Sequence, residues 1–179
     1  MEASWRQTIA AMHGSGRQVV LAITGGGSGA IAELLRVPGG SRLLLEAIVP
    51  YDAGALSAFL GEEPAQACSV DTAVAMARRA RERAVTFAAP GAQVLGLGAT
   101  ASLVSDRPKQ GEHRAHVAVM SDGATDVASV VLAKGRRDRP AEEDLVARAI
   151  VLCLARACGV TAPSPATLFD PDERYTERR

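Results

Sequence analysis

Apolar residues along this chain alternate between two spacings, and the changes of spacing mark out its elements. Val19, Val20, Leu21 and Ile23 form a short run rich in β-branched residues, which predicts a buried strand. The stretch TGGGSG follows, and from Ala30 to Leu35 the spacing turns helical. Upstream, Ser4 is placed to cap a short helix through Ile9, Ala10 and Met12 that Gly14 and Gly16 stop. Downstream, Val37-Pro38-Gly39-Gly40 ends the second helix, and Ser41 to Pro50 reads as a second strand. Asp52 caps a helix holding Ala55, Leu56, Phe59 and Leu60, which Gly61 ends.

Ser69 caps a longer helix, Val70 to Phe87, with Val74, Ala77, Ala80, Ala84 and Phe87 on its apolar face. Arg78, Arg79, Arg81, Glu82 and Arg83 form its solvated face. Gln93 to Gly98 is a third strand, and His113–Met120 and Thr125–Lys134 alternate about Ser121-Asp122-Gly123-Ala124 as a hairpin. Pro140 to Cys158 is a helix with proline at its start and Glu142, Glu143 and Asp144 in its first turn. Helices interleaved with strands, plus one late hairpin, predict an α/β fold: a three-layer α/β/α sandwich around a mixed sheet. Residues 1–160 form its single domain, and the proline-rich 161–179 are expected to be a loosely ordered tail.

Composition narrows the function more than the fold. The 179 residues carry 20 Lys+Arg against 20 Asp+Glu, so no overall field draws the chain to nucleic acid or an acidic membrane. Aromatics make up 3%, too few for base-stacking platforms. The three cysteines, Cys68, Cys153 and Cys158, have neither CxxC nor Cys/His spacing, so a disulfide framework or a zinc site is not expected. With no leader pattern and no membrane-length apolar run, the expected setting is the reducing cytoplasm. No metal and no cofactor are expected.

An anion site on such a chain must be local. Glycines at Gly25, Gly26 and Gly27 reach φ > 0 easily and expose backbone N–H groups, and Thr24 and Ser28 add hydroxyls beside a helix N-terminus that favours phosphate. Far downstream, Ser105 to Arg114 is dense in ligand-holding groups, and Arg107, Lys109 and Arg114 form a candidate phosphate clamp. Arg139 completes an expected two-sided anion site. His113 and His116 lie on opposite faces of their strand, so at most one points toward the turn.

Four of these landmarks, in their order and spacing, resemble the CinA C-terminal domain, the competence/damage-inducible family whose fold includes the nicotinamide mononucleotide deamidases. They are Thr24-Gly25-Gly26, Val37-Pro38-Gly39-Gly40-Ser41, Val49-Pro50-Tyr51 with its helix to Leu60-Gly61, and Asp138-Arg139. The resemblance implies a metal-independent amidohydrolase that converts a pyridine nucleotide carboxamide to the acid and ammonia. It further implies a nucleophilic serine at the first turn, a lysine base beyond the strand-end tyrosine, and hydroxyl and glycine groups of a later loop holding substrate. Here the serine position falls on Ala22 or Thr24, depending on alignment, the tyrosine is Tyr51, and the lysine position is Leu56.

The later loop becomes Gly98-Ala99-Thr100-Ala101-Ser102 and its continuation, giving Thr100 and Ser102 as substrate-binding candidates. Two functions follow as alternatives: a divergent amidohydrolase attacking through Thr24 or Ser28, with Tyr51 in the site, or a nucleotide- or phosphate-binding regulatory module that no longer cleaves. The expected partner is a small phosphorylated nucleotide, with no nucleic acid and no membrane. Leu43 to Leu45 and the last helix are the expected contact of a homo-oligomer.

Overall fold

A six-stranded mixed sheet forms the middle layer, in the order β2-β1-β3-β4-β5-β6. Its strands are β1 (Arg17–Thr24), β2 (Leu44–Ile48), β3 (Gln93–Ser102), β4 (His113–Ser121), β5 (Ala124–Leu132) and β6 (Arg174–Arg178). The computed structural model describes residues 2–107 and 110–179. The candidate Lys109 lies outside them. β1 pairs in parallel with β2 and β3, while β4, β5 and β6 follow antiparallel.

Strand parity sorts side chains between two cores. Val19, Leu21 and Ile23 of β1, Leu95 and Leu97 of β3, and Val117 and Val119 of β4 face one core. There they meet α1 (Ala3–His13), α2 (Gly29–Arg36) and α5 (Arg139–Ala157). Val20, Ala22 and Ala118 face the other core, formed with α3 (Ala53–Leu60) and α4 (Val70–Phe87). The three layers and the mixed sheet are those the sequence predicts.

The caps explain most of the boundaries. The Asp52, Ser69 and Asp138 side chains accept from the N–H groups of Gly54, Thr72 and Ala141, so α3, α4 and α5 start where their capping residues stand. α1 is an exception: Glu2 rather than Ser4 occupies its N-cap position. α4 crosses β3 at Gly96 and Gly98, where a Cβ would run into the carbonyl oxygens of Ala77 and Ala73. That close approach lets an alanine-rich helix bury Ala73, Ala77, Ala80 and Ala84 completely. Phe87, expected on the same face, is instead exposed at the helix end, with the Arg83 guanidinium over its ring.

Three expectations need correction. The second strand is shorter than Ser41–Pro50, because Gly40–Arg42 wind into a 3-10 turn and the register with β1 shifts at Val19/Val20. The third strand runs on to Ser102, since Ala99 to Ser102 find partners on both sides or on β4. The tail is not loose. Residues 174–178 form β6 on the open edge of β5, with Tyr175 stacked on Phe169 and touching α5 through Cys153 and Arg156. Leu43 and most apolar residues of α5, proposed contacts for a second copy, are buried in the chain's own core.

Candidate functional site

β1 delivers the glycine turn to the carboxyl end of the sheet, where α/β folds place ligands. Gly25 and Gly27 adopt positive φ, 76° and 87°, whereas Gly26 does not. The turn is packed rather than open. A Cβ at Gly25 would collide with the Ala101 carbonyl, one at Gly26 with Leu103, and one at Gly27 with Val146 and Ile150.

The N-terminus of α2 does attract an anion, and that anion belongs to the protein. Glu143, from the first turn of α5, accepts from the Ser28 backbone N–H at 2.8 Å and from the Ser28 hydroxyl at 2.9 Å through the same Oε1. The Gly27 N–H bonds to the same carboxylate. Arg139 donates to Glu143 Oε2 at 3.3 Å and to the Gly25 carbonyl at 3.1 Å, and reaches the Val104 carbonyl at 3.4 Å. Burial pushes the Glu143 carboxyl up, but the Gly27 and Ser28 bonds and the Arg139 charge outweigh it and hold it below its usual range.

The neighbouring Glu142 does a parallel job one residue earlier. It is fully buried, accepts from the Val104 N–H at 2.8 Å and meets His113 Nδ1 at 2.7 Å. The α5 first turn therefore pins the β1 turn through Glu143 and the segment after β3 through Glu142.

The remaining candidates lie apart from this cluster. Thr24 is buried and donates to the Pro50 carbonyl at 2.9 Å, and Thr100 donates to the Ala67 carbonyl at 2.7 Å. By strand parity Thr24, Thr100, Ser102 and Arg114 point to the α4 side, whereas Glu143 and Arg139 sit on the α5 side. Arg114 donates to the Cys68 carbonyl at 3.3 Å. Tyr51 is 63% exposed, and Arg107 is exposed on the loop after β3. Leu56 is buried against Val20, Ala22 and Met76. Ser28, Gly25–Gly27 and Arg139 are thus brought together, whereas Thr24, though next to Gly25 in the chain, turns with Thr100, Ser102 and Arg114 to the opposite face, and Tyr51 and Arg107 are exposed.

The two histidines separate as their spacing predicts. His113 faces α5 and Glu142; His116 faces the α4 side, half-buried, with Nδ1 2.9 Å from the Ser129 hydroxyl. Burial and then the Arg114 and Arg178 charges lower the His116 pKa. Glu142 and Glu143 are the site residues sequence reasoning missed. Acidic residues in a first helical turn read as complements to their own helix dipole, and their partners lie 115 residues away at the start of another helix, 29 residues away on β4 and 38 residues away in the segment after β3. Among the described residues no group of three or more His, Cys, Asp or Glu could hold a metal, and no helix is long and apolar enough to cross a membrane.

A glycine turn leaving the first of three parallel strands, with an antiparallel hairpin beside them and helices on both faces, defines a three-layer α/β class. Its particular form is the fold of the CinA-superfamily proteins. The crystal structure of a competence or damage-inducible protein from Enterobacter asburiae matches with a TM-score of 0.63 at 16% identity, over 87% of this chain and 94% of that one. The competence/damage inducible protein CihA from Agrobacterium tumefaciens matches with 0.63 at 16% identity, over 89% and 96%. A competence-damaged protein (CinA) superfamily protein from Enterobacter cloacae gives 0.62 at 18%, over 87% and 89%. No family model and no curated protein sequence matches the chain. The likeness is one of fold, carried by topology rather than by residues.

Proposed function

We propose that this chain is a binding module on the CinA fold that holds a phosphorylated small molecule without cleaving an amide. The observation that carries the non-cleaving part of this reading is the Glu143 carboxylate seated on the Gly27 and Ser28 N–H groups, where a substrate oxyanion would otherwise bind, so the ligand must be held elsewhere on the fold. A substrate phosphate or oxyanion approaching the turn meets a negative charge held by four bonds. The position where the family resemblance calls for a lysine base holds Leu56, buried in an apolar cluster with no proton to exchange. Thr24, the alternative nucleophile, spends its proton on the Pro50 carbonyl.

One observation favours the hydrolytic reading. The Ser28 hydroxyl is exposed and donates to a carboxylate, so Ser28 would attack a carboxamide carbon while Glu143 took its proton, and ammonia would leave before water released the acyl group. Against it, Glu143 is held below the usual carboxylate range, which weakens it as a base at neutral pH. The test is ammonia release from nicotinamide mononucleotide by the purified chain. No release above the protein-free rate is expected. Release that disappears in Ser28→Ala overturns the binding-module reading.

A further inference from the structure

α4 packs against β1, β3 and β4 and reaches β5 only around Val127, which leaves the rest of the α4-side face of β5 and that of β6 without a helix over it. Across this face the register aligns Thr100, His116, Ser129 and Thr176 in one row spanning four strands. The flanking rows are Ser102, Arg114, Val131 and Arg174 on one side, and Gly98, Ala118, Val127 and Arg178 on the other. Adjacent strands are about 4.8 Å apart, so the central row presents an imidazole between hydroxyls at one-strand intervals. None of these positions is acidic.

The charges on this face are incompletely paired. Arg174 is bonded to Glu112, but the Arg178 side chain has no hydrogen bond or ion pair among the described residues. Arg114 makes one long bond to a carbonyl, and its Nε is buried without a partner. Both Arg114 and Arg178 act electrostatically on His116. The carboxylates of β5 and β6 point the other way: Asp126 takes Arg179, and Glu177 takes Arg156 on the α5 side. On a chain with no net charge, positive groups and hydroxyls are therefore gathered on one sheet face, the acids of β5 and β6 are turned from it, and Glu112 meets it only at Arg174.

We propose that this face binds the phosphoryl group of a small phosphorylated molecule, with His116 at its centre, Ser129 and Thr176 as hydroxyl neighbours, and Arg114 and Arg178 supplying charge. Nδ1 of His116 is committed to Ser129, so Nε2 is the nitrogen that meets the ligand. Imidazole and hydroxyl groups of the central row, with the long guanidinium side chains of Arg114 and Arg178 extending from the rows on either side of it, suit the three acceptor oxygens of a phosphoryl group. The face has no aromatic side chain to stack a base, which separates it from a nucleic-acid platform. This assignment rests on the binding-module reading above and gives that module its ligand class and its site.

The chain has three histidines, and the two others, His13 and His113, are buried on the α5 side. Their ring signals serve as internal controls in an NMR titration of the full chain at fixed pH with inorganic phosphate and, separately, ribose 5-phosphate. His116 is expected to shift saturably while His13 and His113 stay in place, and Arg178→Ala, at an exposed edge, to weaken binding by about tenfold. Tighter binding of ribose 5-phosphate than of phosphate identifies a metabolite as the ligand, and equal binding identifies free phosphate. An unmoved His116 signal, saturation only with an acidic peptide, or wild-type affinity in both Arg178→Ala and Thr176→Ala overturns the proposal. Amide cleavage alongside a shifting His116 would end the non-cleaving reading and leave this site standing.

Discussion

At the scale of single residues, Glu143 decides what the glycine turn is for. Its carboxylate does for α2 what a capping side chain does within one helix, but from another helix, so the cap also ties α5 to β1. Glu143→Gln keeps the shape, removes the charge, and is expected to cost about 1–2 kcal/mol in urea denaturation at pH 7. The pH dependence follows from the lowered carboxyl pKa. The contribution is complete above the ordinary carboxylate range and is lost as pH falls through the folded value, so the gap between wild type and Glu143→Gln should close in acid. A gap that does not begin to narrow as pH falls below the ordinary carboxylate range would show that the charge is not what stabilises the turn. Leu56→Lys tests the neighbouring point. An ammonium placed among Val20, Ala22 and Met76 should cost about 3 kcal/mol or more by denaturation, and ammonia release should not appear.

At the scale of elements, what could be seen in the sequence was whatever local chemistry encodes. α4 falls on Val70–Phe87 because Ser69 caps it and its alanines repeat at helical spacing, and the β4–β5 hairpin follows from alternation about Asp122-Gly123. β6 was hidden because Arg174, Thr176, Glu177 and Arg178 carry no apolar alternation; Tyr175 alone is half-buried there, and β5 supplies the rest through backbone pairing. The glycine turn was visible as a turn, but its occupant was not, since a helical Glu gives no sign of a partner 115 positions away. Gly96 and Gly98 read simply as weak strand residues, yet they set the depth at which α4 sits. Gly98→Ala puts a methyl group against the Ala73 backbone carbonyl, which a side-chain rotation cannot relieve. It should lower stability by about 3 kcal/mol, read as a fall in the thermal midpoint, whereas Gly91→Ala, with open space around it, should cost only the strain of its positive φ.

At the scale of the whole molecule, the last strand closes one edge of the sheet and is held by charge more than by apolar burial. Glu173, just before β6, is buried and accepts from the Ala133 and Asp170 N–H groups, while Arg137 pairs with both Glu173 and Asp170. Arg136 adds Asp170 and Asp172, so the loop before α5 and the residues before β6 form one ionic knot. Burial pushes the Glu173 carboxyl up, but the Arg137 bond, the two backbone bonds and the Arg137 charge hold it below its usual range. Removing Arg137 leaves a buried carboxylate without its counter-charge, a loss that exposed ion pairs do not incur. Arg137→Ala should therefore destabilise by about 3 kcal/mol at neutral pH, and less in acid, where Glu173 can take a proton. Hydrogen exchange would locate the loss. The β5 amides that pair with β6, at Val127 to Val131, should exchange faster in the variant, while β1 and β3 amides keep their protection relative to global stability. The same measurement bears on the proposed ligand face, because β6 carries Thr176 and Arg178. If Arg137→Ala frees β6 and phosphate affinity falls with it, the strand's docking and the ligand's are one equilibrium, and unchanged affinity with β6 exchanging freely would place the phosphate elsewhere.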